Sequence, residues 1–311
     1  MMRILIAETK DFSNEAVRAL EVFAKVDLID LKQEAIVDAL KLYDVFWFRL
    51  GFKLSADIIM QAEQCKFIIC PVTGLDHIDL EACKQKQITV ISLKGEKELL
   101  KKVRATAEHT IGLALSLLRN IPQAVNSTQN NTWNRTPFKG HELYEKTVGI
   151  LGVGRLGTIT SGYFKAFGAN VLGFDVHPFD AQICEPVADM NELFRKCDLI
   201  SVHVNLNDDT YHLIGDEQFN LMKPGSWFIN TSRGQIVDSA ALINALKNNR
   251  LAGAATDVIE QEFNYQDDIL LQYAKLNDNL IITPHIGGNT YESFAKTELF
   301  MVEKLKLKLT H

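Results

Sequence analysis

Cysteine is scarce in this chain, five among 311 residues, and none of Cys65, Cys70, Cys83, Cys184 and Cys197 forms a CxxC pair. An odd, unpatterned set argues against a disulfide scaffold, and no metal site is expected. Several of these thiols sit in apolar stretches, where cysteine behaves as a small hydrophobe, so a reducing, cytoplasmic location is expected. The sequence also has no apolar run of about 18 residues, so nothing in it reads as a bilayer span. Met1 to Glu8 offers only a four-residue apolar run before an acid, which reads as neither signal peptide nor anchor. Positive charge is not in excess. Lys and Arg total 33 against 39 Asp and Glu, a formal net charge of −6. That balance argues against bulk binding to nucleic acid or an anionic membrane, while leaving room for a local basic pocket. There is no repeat of solenoid period, and the one biased tract is the Asn- and Thr-rich stretch 126–134, expected as a loop.

What is present is alternation. In the first hundred residues, short apolar runs (Arg3–Ala7, Lys25–Ile29, Val45–Phe48, Phe67–Cys70, Ile88–Ile91) are separated by amphipathic stretches such as Glu15–Phe23 and Ala56–Ala62. This is the pattern of βαβ units on a parallel sheet. Ala107–Leu118 reads as a helix apolar on nearly every face, hence buried in a core or against another domain or subunit. Asn120-Ile121-Pro122 is expected to end it. A second series comes next, with strands at Thr147–Leu151, Asn170–Phe174, Leu199–Val202, Trp227–Asn230, Ala252–Ala255 and Leu280–Ile282, and a last helix after Thr290. The fold class is therefore α/β, with two doubly wound parallel sheets.

The strand Thr147–Leu151 runs into Gly152-Val153-Gly154-Arg155-Leu156-Gly157 and then a helix. Such a loop permits a tight turn at Gly152, backbone approach to a pyrophosphate at Gly154, and close helix packing at Gly157. The helix N-terminus adds free N–H groups for the phosphates. The next strand ends at Asp175, 18 residues beyond Gly157, where an acid would bind ribose hydroxyls and repel the 2′-phosphate of NADP. NAD is thus the expected cofactor.

Four further stretches resemble the D-isomer-specific 2-hydroxyacid dehydrogenase family: Gly74-Leu75-Asp76-His77-Ile78-Asp79, Ala107-Glu108-His109-Thr110, Asn230-Thr231-Ser232-Arg233-Gly234 and Thr283-Pro284-His285-Ile286-Gly287-Gly288. They stand in the family's order around the glycine loop, and the resemblance covers essentially the whole chain. It implies a Rossmann nucleotide domain, 102–287, inserted in a flavodoxin-like substrate domain, 1–101 with 288–311, the site lying between them. It also implies a homodimer formed through the long apolar helix, with a small 2-hydroxy or 2-oxo acid as partner.

Hydride transfer to a 2-oxo acid needs a cation for carboxylate and carbonyl and an acid/base for the oxygen. The resemblance assigns these to Arg233, His285 and Glu262. Arg233 directly follows a buried strand, and its guanidinium can grip two oxygens in a fork. His285 would exchange the proton. Glu262 would pair with His285 and stabilise the imidazolium; it lies five residues after Asp257, although Phe263 stands where the family usually has Pro and Glu260 is a nearby competitor. Cofactor contacts implied are Gly152, Gly154, Arg155, Leu156, Gly157, Asp175, Thr231, Ser232, Asp257, Gly287 and Gly288. His203-Val204-Asn205 departs from the family's His-Val-Pro.

For the substrate, the resemblance implies backbone N–H donors at Val72, Thr73 and Gly74, which bind a carboxylate without specifying the rest of the acid. Arg49 and Arg135 resemble positions that hold phosphate in phosphoglycerate dehydrogenases, so 3-phosphoglycerate is one candidate. Gly51 stands where a second basic residue is usual, with Lys53 nearby. Surface arginines are the plain alternative, and glyoxylate or hydroxypyruvate reduction stays open. The Lys94–Lys102 segment departs from the family's shorter loop. A rival of another class is an NAD-sensing corepressor-like binding protein.

Overall fold

The computed structural model describes residues 1–310. They fall into two compact units, Met1–Val103 with residues 289–310, and Arg104–Gly288.

The first unit is built on β1 Met2–Ile6, β2 Ala24–Leu28, β3 Val45–Trp47, β4 Phe67–Cys70 and β5 Thr89–Ser92, all parallel in the order β2-β1-β3-β4-β5. This is the flavodoxin-like order. Side chains alternate across the sheet. Ile4 and Ile6 join Trp47 and, from the helix Tyr291–Leu309, Met301, Val302 and Leu305. Leu5 and Ala7 join Phe46 and Phe48 on the opposite face. Both faces are covered, which is why these strands read as continuous apolar runs rather than as alternation.

The second unit holds β6 Thr147–Leu151, β7 Asn170–Phe174, β8 Glu185–Pro186, β9 Leu199–Val202, β10 Ser226–Asn230, β11 Leu251–Thr256 and β12 Leu280–Ile282. Their order, β12-β11-β10-β9-β6-β7-β8, reverses between β6 and β9, the doubly wound arrangement whose reversal point opens a ligand crevice at the strand carboxyl ends. β8 is two exposed residues long, too short to show any period in sequence.

The helix Ala105–Leu118 packs Ile111, Leu113, Leu117 and Leu118 into the core on one face of the second sheet, with Val148, Ile150 and Ile229. Each such burial contributes about 1.5–3 kcal/mol. The helix stops at Asn120, whose left-handed φ of 52° turns the chain. Beyond it the chain departs from the loop expected at 126–134. Pro122 sits in the first turn of a new helix, Ile121–Gln129, a position where its missing N–H costs nothing. Residues 126–129 are helical for that reason, and the loop begins after them.

Candidate active site

The register of the second sheet builds the site. Phe174, Leu151, Val202, Asn230, Thr256 and Ile282 are successive Cα partners across β7, β6, β9, β10, β11 and β12. Each is the last residue of its strand, so the segments starting at Asp175, Gly152, His203, Thr231, Asp257 and Thr283 leave one edge in one row. Five strand spacings, about 24 Å, separate the Asp175 end from the His285 end.

Near the Asp175 end, Gly152 has φ +92°, and a Cβ there would strike the His203 carbonyl. A Cβ on Gly157 would meet the Gly152 carbonyl oxygen. At Gly154 a Cβ would meet nothing, so this bare backbone faces open space at the start of the helix Arg155–Ala166, which has no side-chain cap. The first N–H groups of a helix lack partners within it, and bare backbone beside them is what a pyrophosphate requires. Asp175 accepts the N–H groups of Val153 at 2.7 Å and His177 at 2.9 Å, which orients its carboxylate at the end of β7. These residues fit a dinucleotide. Arg155 and Leu156 open the helix.

At the other end, His285 Nδ1 meets Glu262 Oε2 at 2.7 Å, with both side chains partly exposed. The His285 backbone is left-handed, φ 54°, an uncommon conformation outside glycine and one that persists when surroundings over-determine it. Asp257 supplies those surroundings. Its carbonyl accepts the His285 N–H at 2.8 Å, and its carboxylate accepts the N–H groups of Ile286 at 2.9 Å and Gly287 at 2.7 Å. Thr283 Oγ1 donates to Asp257 Oδ1 at 2.6 Å, and His109 Nε2 lies 3.2 Å from the same oxygen. Burial pushes the Asp257 carboxyl up, but His109, Thr283 and the two backbone donors together outweigh it and hold the group below its ordinary value. Asp257 is thus the buried hub that shapes the His285 turn, a role the sequence did not reveal; four donors arriving from distant segments leave no local pattern. Gly288 stands at the end of this turn.

Between the two ends, buried Asn230 closes the Arg233 turn. Its Nδ2 donates to the Arg233 carbonyl at 2.9 Å, and its Oδ1 accepts the Ser232 N–H at 2.9 Å. Ser232 Oγ donates to the Val204 carbonyl. Thr231 is 7% exposed and its hydroxyl lies 2.9 Å from that of Thr110. Arg233 Nη1 donates to the Ser232 carbonyl at 2.8 Å. The structure therefore brings Arg233, Asp257, Glu262 and His285 out of three adjacent strands, with Glu262, not Glu260, against His285.

The remaining candidates belong to other segments. Val72, Thr73 and Gly74 follow β4 in the first unit, where the Val72 N–H donates to the Cys70 carbonyl at 2.8 Å. Arg49, at the end of β3, is engaged by the fully buried Glu298: Nη2 and Nε reach Oε1 at 2.5 and 3.1 Å, and Nη1 donates to the Lys10 carbonyl. Its guanidinium also stacks 3.9 Å from the Phe294 ring centre. Arg135 is exposed, beside a short 3₁₀ turn in the second unit. Among the described residues no His, Cys, Asp and Glu cluster could hold a metal ion, and no helix is long and apolar enough to cross a membrane.

Residues 111–287 match the family model for the D-isomer specific 2-hydroxyacid dehydrogenase NAD binding domain. The chain is 37% identical to D-3-phosphoglycerate dehydrogenase of Methanocaldococcus jannaschii over 98% of its own length, and spans 57% of that relative. It is 32% identical to hydroxypyruvate reductase of Thermotoga maritima, over 88% of each chain. Among solved structures, D-lactate dehydrogenase from Aquifex aeolicus, complexed with NAD and lactic acid, superposes with a TM-score of 0.85 at 26% identity, covering 99% of this chain and 95% of that one.

Proposed function

Because this chain belongs to the D-isomer specific 2-hydroxyacid dehydrogenase family, we propose that it is an NAD-dependent oxidoreductase interconverting a small 2-hydroxy acid and its 2-oxo acid. The observation that carries the reading is the His285–Glu262 pair at 2.7 Å, on a strand end two removed from that of Arg233.

When bound, the nicotinamide supplies or accepts the hydride at substrate C2. The Gly152–Gly157 loop and Asp175 would hold the pyrophosphate and ribose, and Thr231, Ser232, Asp257, Gly287 and Gly288 the nicotinamide end. Arg233 grips the substrate carboxylate and carbonyl oxygen, aligning the carbonyl and drawing charge onto its oxygen. His285 presents Nε2, since Nδ1 is held by Glu262. In reduction Nε2 gives its proton to the forming alkoxide; in oxidation it takes the hydroxyl proton back. The Glu262 carboxylate fixes the ring and balances its charge when both nitrogens are protonated. The backbone amides of Thr73 and Gly74 remain the proposed further donors to the substrate carboxylate, the Val72 N–H being taken by the Cys70 carbonyl.

The pairing of Arg49 with buried Glu298 favours an unphosphorylated acid, such as hydroxypyruvate or glyoxylate, over 3-phosphoglycerate, which would draw on Arg49 and Arg135. A cytoplasmic homodimer completes the proposal. The test monitors NADH absorbance with glyoxylate, hydroxypyruvate, pyruvate, 2-oxoglutarate and 3-phosphohydroxypyruvate. Turnover of an unphosphorylated acid supports the reading. Clear preference for 3-phosphohydroxypyruvate restores Arg49 and Arg135 as phosphate ligands. NADH binding without any turnover sinks the enzyme reading and favours a corepressor-like binding protein.

A further inference from the structure

Glu260 lies two residues before Glu262 and takes no part in the chemistry above, yet its carboxylate and carbonyl tie its loop to two others. Oε1 accepts the backbone N–H of Ser239 at 3.1 Å, and Oε2 lies 3.0 Å from His212 Nε2. Its carbonyl oxygen accepts Gln235 Nε2 at 2.6 Å. Gly234 packs against the same stretch so closely that a Cβ there would collide with the Ile259 carbonyl and the Glu260 nitrogen. The His212 N–H donates to the Gln235 carbonyl at 2.8 Å, and its ring stacks on Tyr211 with centroids 4.2 Å apart.

Three loops meet at this one residue. His212 comes from the loop after β9, Gly234 and Gln235 from the loop after β10 that carries Arg233, and Glu260 itself from the loop after β11 that carries Glu262. Ser239 opens the helix Ser239–Lys247, so the carboxylate also sits where helix N–H groups lack partners and the dipole favours an anion. Among the described residues, the hydrogen bonds that tie 259–262 to other loops run through Glu260, save the one from Glu262 to His285.

We infer that Glu260 is a positioning residue. It holds the Glu262 carboxylate in register with His285 and locks that loop to the Arg233 turn, with His212 as its second anchor. The inference rests on the assignment of Glu262 and His285 proposed above. Its physical basis is that a catalytic group is effective only when its supporting contacts confine it to the productive geometry.

The test is a double-mutant cycle on turnover of the best acid from the panel. Glu260→Ala should lower kcat about tenfold to thirtyfold, with KM and NADH binding changed by less than about twofold. In a Glu262→Gln background the same substitution should change kcat by less than about twofold, because the group it acts through is already disabled. Glu260→Gln, which keeps an acceptor for Ser239 and a polar partner for His212, should recover most of the loss. An equal fold-loss in both backgrounds, or an unchanged kcat in Glu260→Ala, overturns the inference. If Glu260→Ala does not fold, His212→Ala replaces it, with about a threefold to fivefold loss expected and the same non-additivity required. Should Glu262→Gln leave kcat unchanged, or no acid turn over, the catalytic assignment fails and this inference with it. A slowed Glu262→Gln with an additive cycle removes this inference alone.

Discussion

Each unit of this molecule ends a central buried strand near an arginine, and the two arginines are handled in opposite ways. Arg49 follows β3, and its charge is answered by Glu298, a carboxylate with no exposure. Arg233 follows β10 in a turn closed by Asn230, among the loops that carry Asp257, Glu262 and His285. The first unit confines its cation in an internal ion pair with two rings over it. The second places its cation on the strand-end row where a histidine and a carboxylate remain partly exposed. Position in a parallel sheet therefore does not by itself make an arginine a substrate group; a buried carboxylate that claims the charge, as Glu298 claims Arg49, withdraws it from that role.

Replacing each arginine should expose that difference most sharply. Arg233→Ala should cut kcat/KM about a thousandfold while NADH still binds, because a cation aimed at developing charge is lost. Equal loss of NADH affinity would remove Arg233 from the substrate. Arg49→Ala should act on stability, by about 3–5 kcal/mol, because it leaves Glu298 buried and unpaired. Thermal or denaturant unfolding reads this, and an unchanged midpoint with selective loss of turnover for a phosphorylated acid would make the two arginines alike after all.

A smaller effect comes from the histidines. Half-buried His203 lies at the root of the loop after β9, its Nε2 2.9 Å from Ser201 Oγ, and desolvation of its ring drops its pKa to about 4. The unfolded chain takes up this proton near 6.5, so the native state is favoured above that pH and loses support as the pH falls from 6.5 toward 4. The loss is at most about 3 kcal/mol. His203→Gln should flatten the unfolding free energy across that window, and an unaltered slope would show that His203 is not the group responsible. Smallest, Asp175→Ala should weaken NAD binding about tenfold, and NADP less. An unchanged preference would take Asp175 out of the ribose site and leave only the glycine loop at that end of the row.

Most of the fold was legible because a strand buried on both faces must be apolar throughout, and the helices between such strands must show one apolar stripe. The boundary at Asn120 was legible, but the helix after it was not. Its second half, residues 126–129, is polar, and the start signal, Pro122, reads equally as a stop. The Gly152–Gly157 loop could be read with its geometry because each glycine answers a backbone requirement local to six residues. His285, Glu262 and Arg233 could be named as a set only through the family resemblance of the motifs around them, with Glu260 left as a competitor.

By itself, the sequence determined the two parallel sheets, the dinucleotide loop and the types of residue at the strand ends, since periodicity and turn chemistry act over a few residues. Only the tertiary structure decided which Glu faces His285, that Asp257 shapes the His285 turn, and that Arg49 is held by Glu298, 249 residues away. A charge is answered by whatever the fold brings within about 4 Å of it, and separation along the chain sets no limit on that.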